Sequence, residues 1–220
     1  MFTDFVDRHA YSTWIFRGVA DAEHHKLVPK IWRDAIYPPA YEAVIFDHFL
    51  QRARQFVEAE RLTRWESLAL AQHHGLPTRL LDWTTNPLIA AYFAVANTPA
   101  DADARIYATR TSTFIDVTRV SDPLSIKEVG VVRPSSVASR IVSQRGLFTV
   151  HPPEAEPWST MDIQDAHNRF DIPKDHRLYF RRRLFYLGVD PAHIKADLDG
   201  VCDSLGWQYA NWSGIGSFNY

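Results

Sequence analysis

The sequence predicts an α+β domain: a small, split sheet of mixed or antiparallel strands flanked by helices. Three observations carry this expectation. Short aromatic and β-branched runs with period-2 character fall at 12–18, 79–84, 105–109 and 146–150. Between and around them, apolar residues recur at three- and four-residue steps, the pattern of helices that bury one face. The chain has 220 residues, 46% of them hydrophobic and 23% charged, enough to bury a sizeable core in one compact domain.

Taken in order, Ser12-Thr13-Trp14-Ile15-Phe16-Arg17-Gly18 reads as a strand with Arg17 at its exit. An irregular segment through His24–Pro29 follows, and Pro38-Pro39 divides it from a helix whose apolar face is Tyr41, Ile45, Phe46, Phe49, Ala53, Phe56 and Val57. Leu62, Trp65, Leu68, Ala69 and Gln72 set a second helix, stopped by Gly75 and Pro77. Arg79–Thr84 is a strand with Leu81 and Trp83 on one face and Leu80, Asp82 and Thr84 on the other. Asn86 caps the next helix and Pro87 occupies its first turn; Leu88–Ala96 is apolar all round, so this helix is expected to be buried.

Past a polar loop at 100–103, Arg105–Thr109 alternates as a strand, and Phe114–Val117 is a candidate for another. Residues 123–136 read as loop with one helical turn. Arg140–Ser143 and Gly146–Val150 are two short strands, or one bent at 144–146. The chain is poorly patterned through Asn168. Lys174–Leu187 is a helix carrying Arg181-Arg182-Arg183 and capped by Gly188, a short helix starts at Asp190-Pro191, and a last one runs to about Gly206. No repeat or low-complexity tract interrupts the chain, so one domain over 1–220 is expected, helical from about 170 to 210.

The net charge of −2 and pI near 6.5 give no global argument for a polyanionic partner. One cysteine, Cys202, excludes an internal disulfide and a multi-cysteine zinc site and favours a reducing compartment. No signal-like start or long apolar run is present, so a cytoplasmic protein without membrane insertion is expected.

Chemistry concentrates in Gln72-His73-His74-Gly75-Leu76-Pro77-Thr78-Arg79-Leu80-Leu81-Asp82-Trp83-Thr84-Thr85-Asn86-Pro87, where imidazole, guanidinium, carboxylate and hydroxyl groups sit in an otherwise apolar passage. His73, at a helix end, is a candidate acid or base, or satisfies exposed carbonyls. Asp82 orients His73 or Arg79, accepts the proton of an attacking hydroxyl, or binds backbone amides. Thr84 and Thr85 precede a helix N-terminus that would face an anion or a ribose; Thr84 is the site candidate and Thr85 the capping one. Arg17 either binds phosphate or pairs with a carboxylate such as Asp82. Metal is disfavoured: His24-His25 and His73-His74 lack the i, i+4 spacing that puts two imidazoles on one helix face. No Gly-x-Ser-x-Gly, Walker or dinucleotide glycine pattern occurs. Arg181-Arg182-Arg183, among Tyr179, Phe180, Phe185 and Tyr186, is either a basic aromatic patch for nucleic acid or a solvated face.

Phe16-Arg17-Gly18, the run from Leu68 to Thr84, Ala90-Ala91-Tyr92-Phe93-Ala94, Gln144–His151 and Asp197-Leu198-Asp199-Gly200 together resemble the FRG-domain family of bacteria and phages. In weaker form, the order of an aromatic-Arg-Gly strand, Trp83-Thr84-Thr85 leading into Tyr92-Phe93-Ala94, and a polar position within 140–148 is similar to arginine-specific ADP-ribosyltransferases. That resemblance implies an ADP-ribosyltransferase-like fold and NAD⁺ as a substrate. The acceptor would be a macromolecule, protein or nucleic acid, in a toxin or phage–host conflict setting. It places Arg17, His73, Asp82 and Gln144 in catalysis and Arg17, Gly18, Arg79, Thr84 and Phe93 around the nucleotide, in a cleft lined by Arg17, the Arg79–Thr84 strand and Gln144. Gln144 stands where the family carries a glutamate; Glu128 and Glu154 are the other acids considered. The rival readings are a non-catalytic nucleotide- or nucleic-acid-binding module and a nuclease using His73 and Asp82.

Overall fold

The computed structural model describes residues 1–11, 13–33, 37–56, 62–97, 99–111, 113–133, 145–153 and 156–214. Its strands are β1 (Trp14–Val19), β2 (Leu80–Thr84), β3 (Ala104–Arg110), β4 (Gly130–Val132), β5 (Gly146–Val150) and β6 (Arg169–Ile172). Its helices are α1 (Phe2–Arg8), α2 (Lys30–Arg33), α3 (Glu42–Ala53), α4 (Arg64–His73), α5 (Pro87–Ala96), α6 (Met161–Gln164), α7 (Arg177–Tyr186), α8 (Pro191–Lys195) and α9 (Leu198–Asn211). Among the described residues, no helix is long and apolar enough to cross a membrane.

The strands form one sheet in the order β4-β5-β2-β1-β3-β6, antiparallel at every pairing, so of the mixed and antiparallel alternatives the antiparallel one holds, in one continuous sheet rather than a split one. It is pinched in the middle. β1 runs beside β3 from Trp14↔Arg110 to Val19↔Arg105, and β2 beside β5 from Leu80↔Val150 to Thr84↔Gly146. Between β1 and β2 the register is the single pair Phe16↔Thr84.

Because paired residues share a face, Phe16, Leu80, Asp82 and Thr84 look the same way. Two cores cover that face. Over β1 and β3, Phe16, Ile106 and Ala108 pack beneath Ile89, Ala90 and Ala94 of α5 and Leu184 of α7. Over β2 and β5, Leu80, Phe148 and Val150 pack beneath Phe46 of α3 and Trp65, Leu68 and Ala69 of α4. The opposite face carries Ile15, Val19, Leu81, Trp83, Tyr107 and Leu147 under Leu27, Ile163 and Trp158.

Local chemistry explains the helix positions. Thr63 and Glu66 form a reciprocal capping box that starts α4, and Gly75, at φ +95°, lets the chain leave it. Asn86 Oδ1 accepts from the Leu88 amide at 2.9 Å with Pro87 in the first turn, which sets the start of the buried α5. Arg177 holds the far end of α5. Its Nη1 donates to the carbonyls of Ala20 (2.7 Å) and Ala102 (2.9 Å) and its Nη2 to that of Asn97 (2.7 Å), joining the ends of β1 and α5 to the loop before β3.

Gly18 is where α5 rests on β1. A Cβ there would lie 1.9 Å from the Ala90 carbonyl oxygen and 2.7 Å from the Ala94 nitrogen, and backbone cannot give way as a side chain can. Gly18→Ala is expected to cost about 3 kcal/mol, the upper part of the overpacking range. That corresponds to a fall of roughly 6–12 °C in thermal unfolding followed by circular dichroism.

Other expectations need adjustment. Phe114–Val117 is not a strand: only Phe114 bridges to Val131, and Asp116–Arg119 turns. β4 and β6 fall in stretches read as loop or as unpatterned, being three and four residues long with no alternation to show. Residues 169–172 are therefore strand at the start of the part expected to be helical. α3 stops at Ala53, leaving Phe56 exposed, and Val57 lies outside the described residues, as do Arg140–Ser143.

Candidate functional site

Where β1 and β2 diverge beyond the Phe16–Thr84 pair, a cleft of about 330 Å³ opens between the end of α4 and α5. It is lined by Arg17, Gly18, Gln72, His73, Asp82, Thr84, Phe93 and Asn97 together with Phe16, Trp83 and Ala90. Six of the residues expected at the nucleotide or in catalysis therefore meet in one place: Arg17, Gly18, His73, Asp82, Thr84 and Phe93.

Arg17 bridges the diverging strands. Its Nη1 donates to the main-chain oxygen of Asp82 and lies 3.6 Å from that residue's carboxylate. A side chain thus makes a cross-strand bond where the ladder does not. The group is 15% exposed, and its Nε is buried without a hydrogen-bond partner among the described residues. Burial pulls its pKa below the ordinary value; Asp82 opposes this and Arg33 adds to it. Among the described residues the cation has an unused donor and one carboxylate within ion-pair distance, itself 65% exposed.

Asp82 is held by a relay not anticipated from the sequence. Gln72 Nε2 donates to Asp82 Oδ1 at 2.8 Å, the Thr78 hydroxyl donates to Gln72 Oε1, and Thr78 Oγ1 accepts from the Leu80 amide at 3.2 Å. Gln72 is the last inward position of α4, and its partners are six and ten residues ahead; the spacing alone did not separate it from a helix-face residue. The Asp82 carboxylate thus meets Gln72 and Arg17, while Arg79 pairs with Glu42.

Thr84 lines the cleft, as the site candidate, and also makes the turn bond expected of Thr85. Thr84, 4% exposed, accepts from the Asn86 amide at 3.1 Å and so shapes the turn into α5, whereas Thr85 is exposed. Gly18 serves the packing of α5 described above. His73 occupies the last turn of α4 on the rim of the cleft, its ring edge-on to His74 with centroids 4.9 Å apart.

Arg79 is a correction. It lies away from the cleft, Nη2 2.6 Å from Glu42 Oε2 and Nε 2.9 Å from Oε1, both side chains 6% exposed; Nη1 donates to the Leu124 carbonyl at 3.1 Å. The guanidinium is committed to tying α3 to β2. Gln144 and Glu154 lie outside the described residues, and Glu128 is exposed and does not line the cleft. The three consecutive arginines do not form one patch: Arg181 lies over the Trp207 ring at 5.1 Å, Arg182 donates to the Asn211 carbonyl, and Arg183 is exposed. Among the described residues no three His, Cys, Asp or Glu side chains converge as metal ligands would.

A buried imidazole behind Arg17 was also missed. Trp83 Nε1 donates to Thr149 Oγ1 (3.0 Å), which shares a further hydrogen bond with His151 Nε2 (2.8 Å). Burial, with Arg17 adding, pushes the His151 pKa down to about 3. The unfolded chain takes up a proton near pH 6.5 and the folded one near 3, so this group leaves stability untouched above about pH 6.5. Stability then falls by about 1.4 kcal/mol per pH unit as the pH drops towards 3. His151→Gln, which retains an acceptor for Thr149, is expected to shrink the loss between pH 7 and pH 5, about 2 kcal/mol in the parent, when urea unfolding is compared at the two values.

Arg17, with a buried donor unpaired among the described residues, and the Gln72-held carboxylate of Asp82 thus share one cleft in an antiparallel α+β domain. Residues 12–103 match the family model of the FRG domain. They span β1 to the loop before β3 and contain every residue lining the cleft. No curated protein and no solved structure matches the chain.

Proposed function

We propose that this cleft binds NAD⁺ and that the protein transfers ADP-ribose to a macromolecular acceptor. The observation that carries the reading is the pairing of Arg17, a cation with unused donors, with the Asp82 carboxylate in one cleft. At about 330 Å³ the cleft is at the small end of ligand sites, sized for one nucleotide half with the rest of the dinucleotide running outward. Arg17 supplies the anchor for the pyrophosphate. The Phe93 face on α5 offers an apolar wall for a ring, and the Asp82 carboxylate supports the positive charge that develops on the ribose as its bond to nicotinamide breaks. Nicotinamide departs with the bonding electrons, the acceptor's nucleophile bonds to the ribose C1, and its proton passes to Asp82 or to His73 at the rim.

Asp82 takes the part for which Gln144 was considered. A carboxylate held by Gln72 and facing solvent carries the negative charge an amide lacks. The test is incubation of the purified protein with labelled NAD⁺ and a cell lysate divided into protein and nucleic-acid fractions. Label in one fraction, absent with Asp82→Asn, supports the reading. Tight NAD⁺ binding with no nicotinamide release would replace it with the non-catalytic module.

A further inference from the structure

A second cavity, of about 350 Å³, lies on the other side of the Phe16–Thr84 pair. It sits at the end of the sheet where β1 begins and β3 ends. The chain leaving β3 passes over it: the Thr111 amide donates to the Thr13 carbonyl at 3.1 Å, and Thr113 and Ile115 bond to Val131 of β4 at 2.9 and 2.8 Å. Phe16 lines both this cavity and the cleft.

The chemistry of this cavity differs from that of the cleft. Trp14, Phe114 and Arg133 are among its lining residues, with the Arg133 guanidinium 5.9 Å from the Phe114 ring centre; Arg110, outside the lining, lies 5.4 Å from that of Trp14. Thr13, Thr85, Thr111 and His9 are also among its lining residues. Arg110 is neutralised by Asp162 at 2.8 Å, whereas Arg133 makes no ion pair among the described residues. Phe114 is 52% exposed, an unfavourable position for a phenyl ring unless something covers it. Arg145 adds a further exposed cation, its carbonyl accepting from the Thr85 amide at 3.3 Å.

We infer that this cavity binds an unpaired nucleotide of a single-stranded nucleic acid. Aromatic faces stack a base whatever its identity, guanidinium groups beside the rings meet its phosphates, and threonine hydroxyls bond to base edges. A base within a duplex cannot enter, because its faces are already covered and the cavity has room for little more than one nucleotide. The binding assignment stands without the transferase reading. Resting on that reading, it names the acceptor class: the cavity holds a nucleic acid beside the cleft, with Phe16 lining both.

The test is fluorescence anisotropy of short, labelled single-stranded RNA and DNA of mixed sequence, without NAD⁺, against duplexes and free mononucleotides. Phe114→Ala and Arg133→Ala remove exposed side chains, so both variants are expected to fold, which circular dichroism checks. Single strands are expected to bind, each variant to bind about tenfold more weakly, and Arg133→Ala to lower the salt dependence by about one released ion. Any of four results overturns the inference: no binding at low salt, affinity unchanged in both folded variants, equal binding of duplex, or free mononucleotide held as tightly as the oligonucleotide. Failure of NAD⁺ turnover with binding intact would strike the transferase reading alone.

Discussion

Glu42→Ala is expected to lower the unfolding free energy by about 3–5 kcal/mol, because it leaves the Arg79 guanidinium buried without its carboxylate. Both side chains are 6% exposed, and three short nitrogen–oxygen contacts join them, the closest at 2.6 Å. Water cannot replace the lost partner as it does at a surface pair such as Arg119–Asp116, where the side chains are 86% and 51% exposed and about 0–1 kcal/mol is at stake. Equilibrium urea unfolding at pH 7 measures the loss. Replacing both residues by methionine is expected to recover much of it, since well-packed apolar side chains avoid the cost of desolvating the two charges. A loss under about 1 kcal/mol for Glu42→Ala would mean that the pair is not buried as described.

Asp82→Asn is expected to cut NAD⁺ turnover by about 100- to 1000-fold, the range seen when a group aimed at developing charge is removed. The substitution keeps the shape of the side chain and an oxygen able to accept from Gln72 Nε2. At 65% exposure Asp82 contributes little to burial, so stability should change by no more than about 0.5 kcal/mol. That separation makes it a sharper probe than Arg17, whose bond to the Asp82 carbonyl helps hold β1 to β2 and whose removal would disturb sheet and cleft together. Gln72→Leu, which releases Asp82 without discharging it, should reduce turnover less than Asp82→Asn does.

Elements with a strong local signal were legible in the sequence. The apolar run 88–96 behind Asn86-Pro87 became a buried helix because nothing but a core accommodates it. The alternation in 80–84 assigned Leu81 and Trp83 to one core and Leu80 to another. Short strands were not legible: β4 is two valines after a glycine, and only its pairing with β5 makes it a strand. At the site, Arg17, His73, Asp82 and Phe93 stood out as polar or aromatic groups at the ends of apolar elements. Arg79 looked equivalent to Arg17, and what distinguishes them is a carboxylate 37 residues away on α3, a long-range contact without a sequence signature. Thr84 lines the cleft and also closes the turn expected of Thr85, because which hydroxyl closes it depends on backbone angles. Gln72 and His151 gained their roles only through partners that folding delivers.

The claim at the centre of this account is that the Arg17–Asp82 cleft breaks the nicotinamide–ribose bond. Nicotinamide release from NAD⁺ by the parent protein and by Asp82→Asn, at matched concentration and with unfolding curves showing both to be folded, tests it most directly. The account predicts measurable release by the parent and a loss of at least about 100-fold in the variant. Equal release by the two proteins, or none by the folded parent in the presence of lysate, would contradict it.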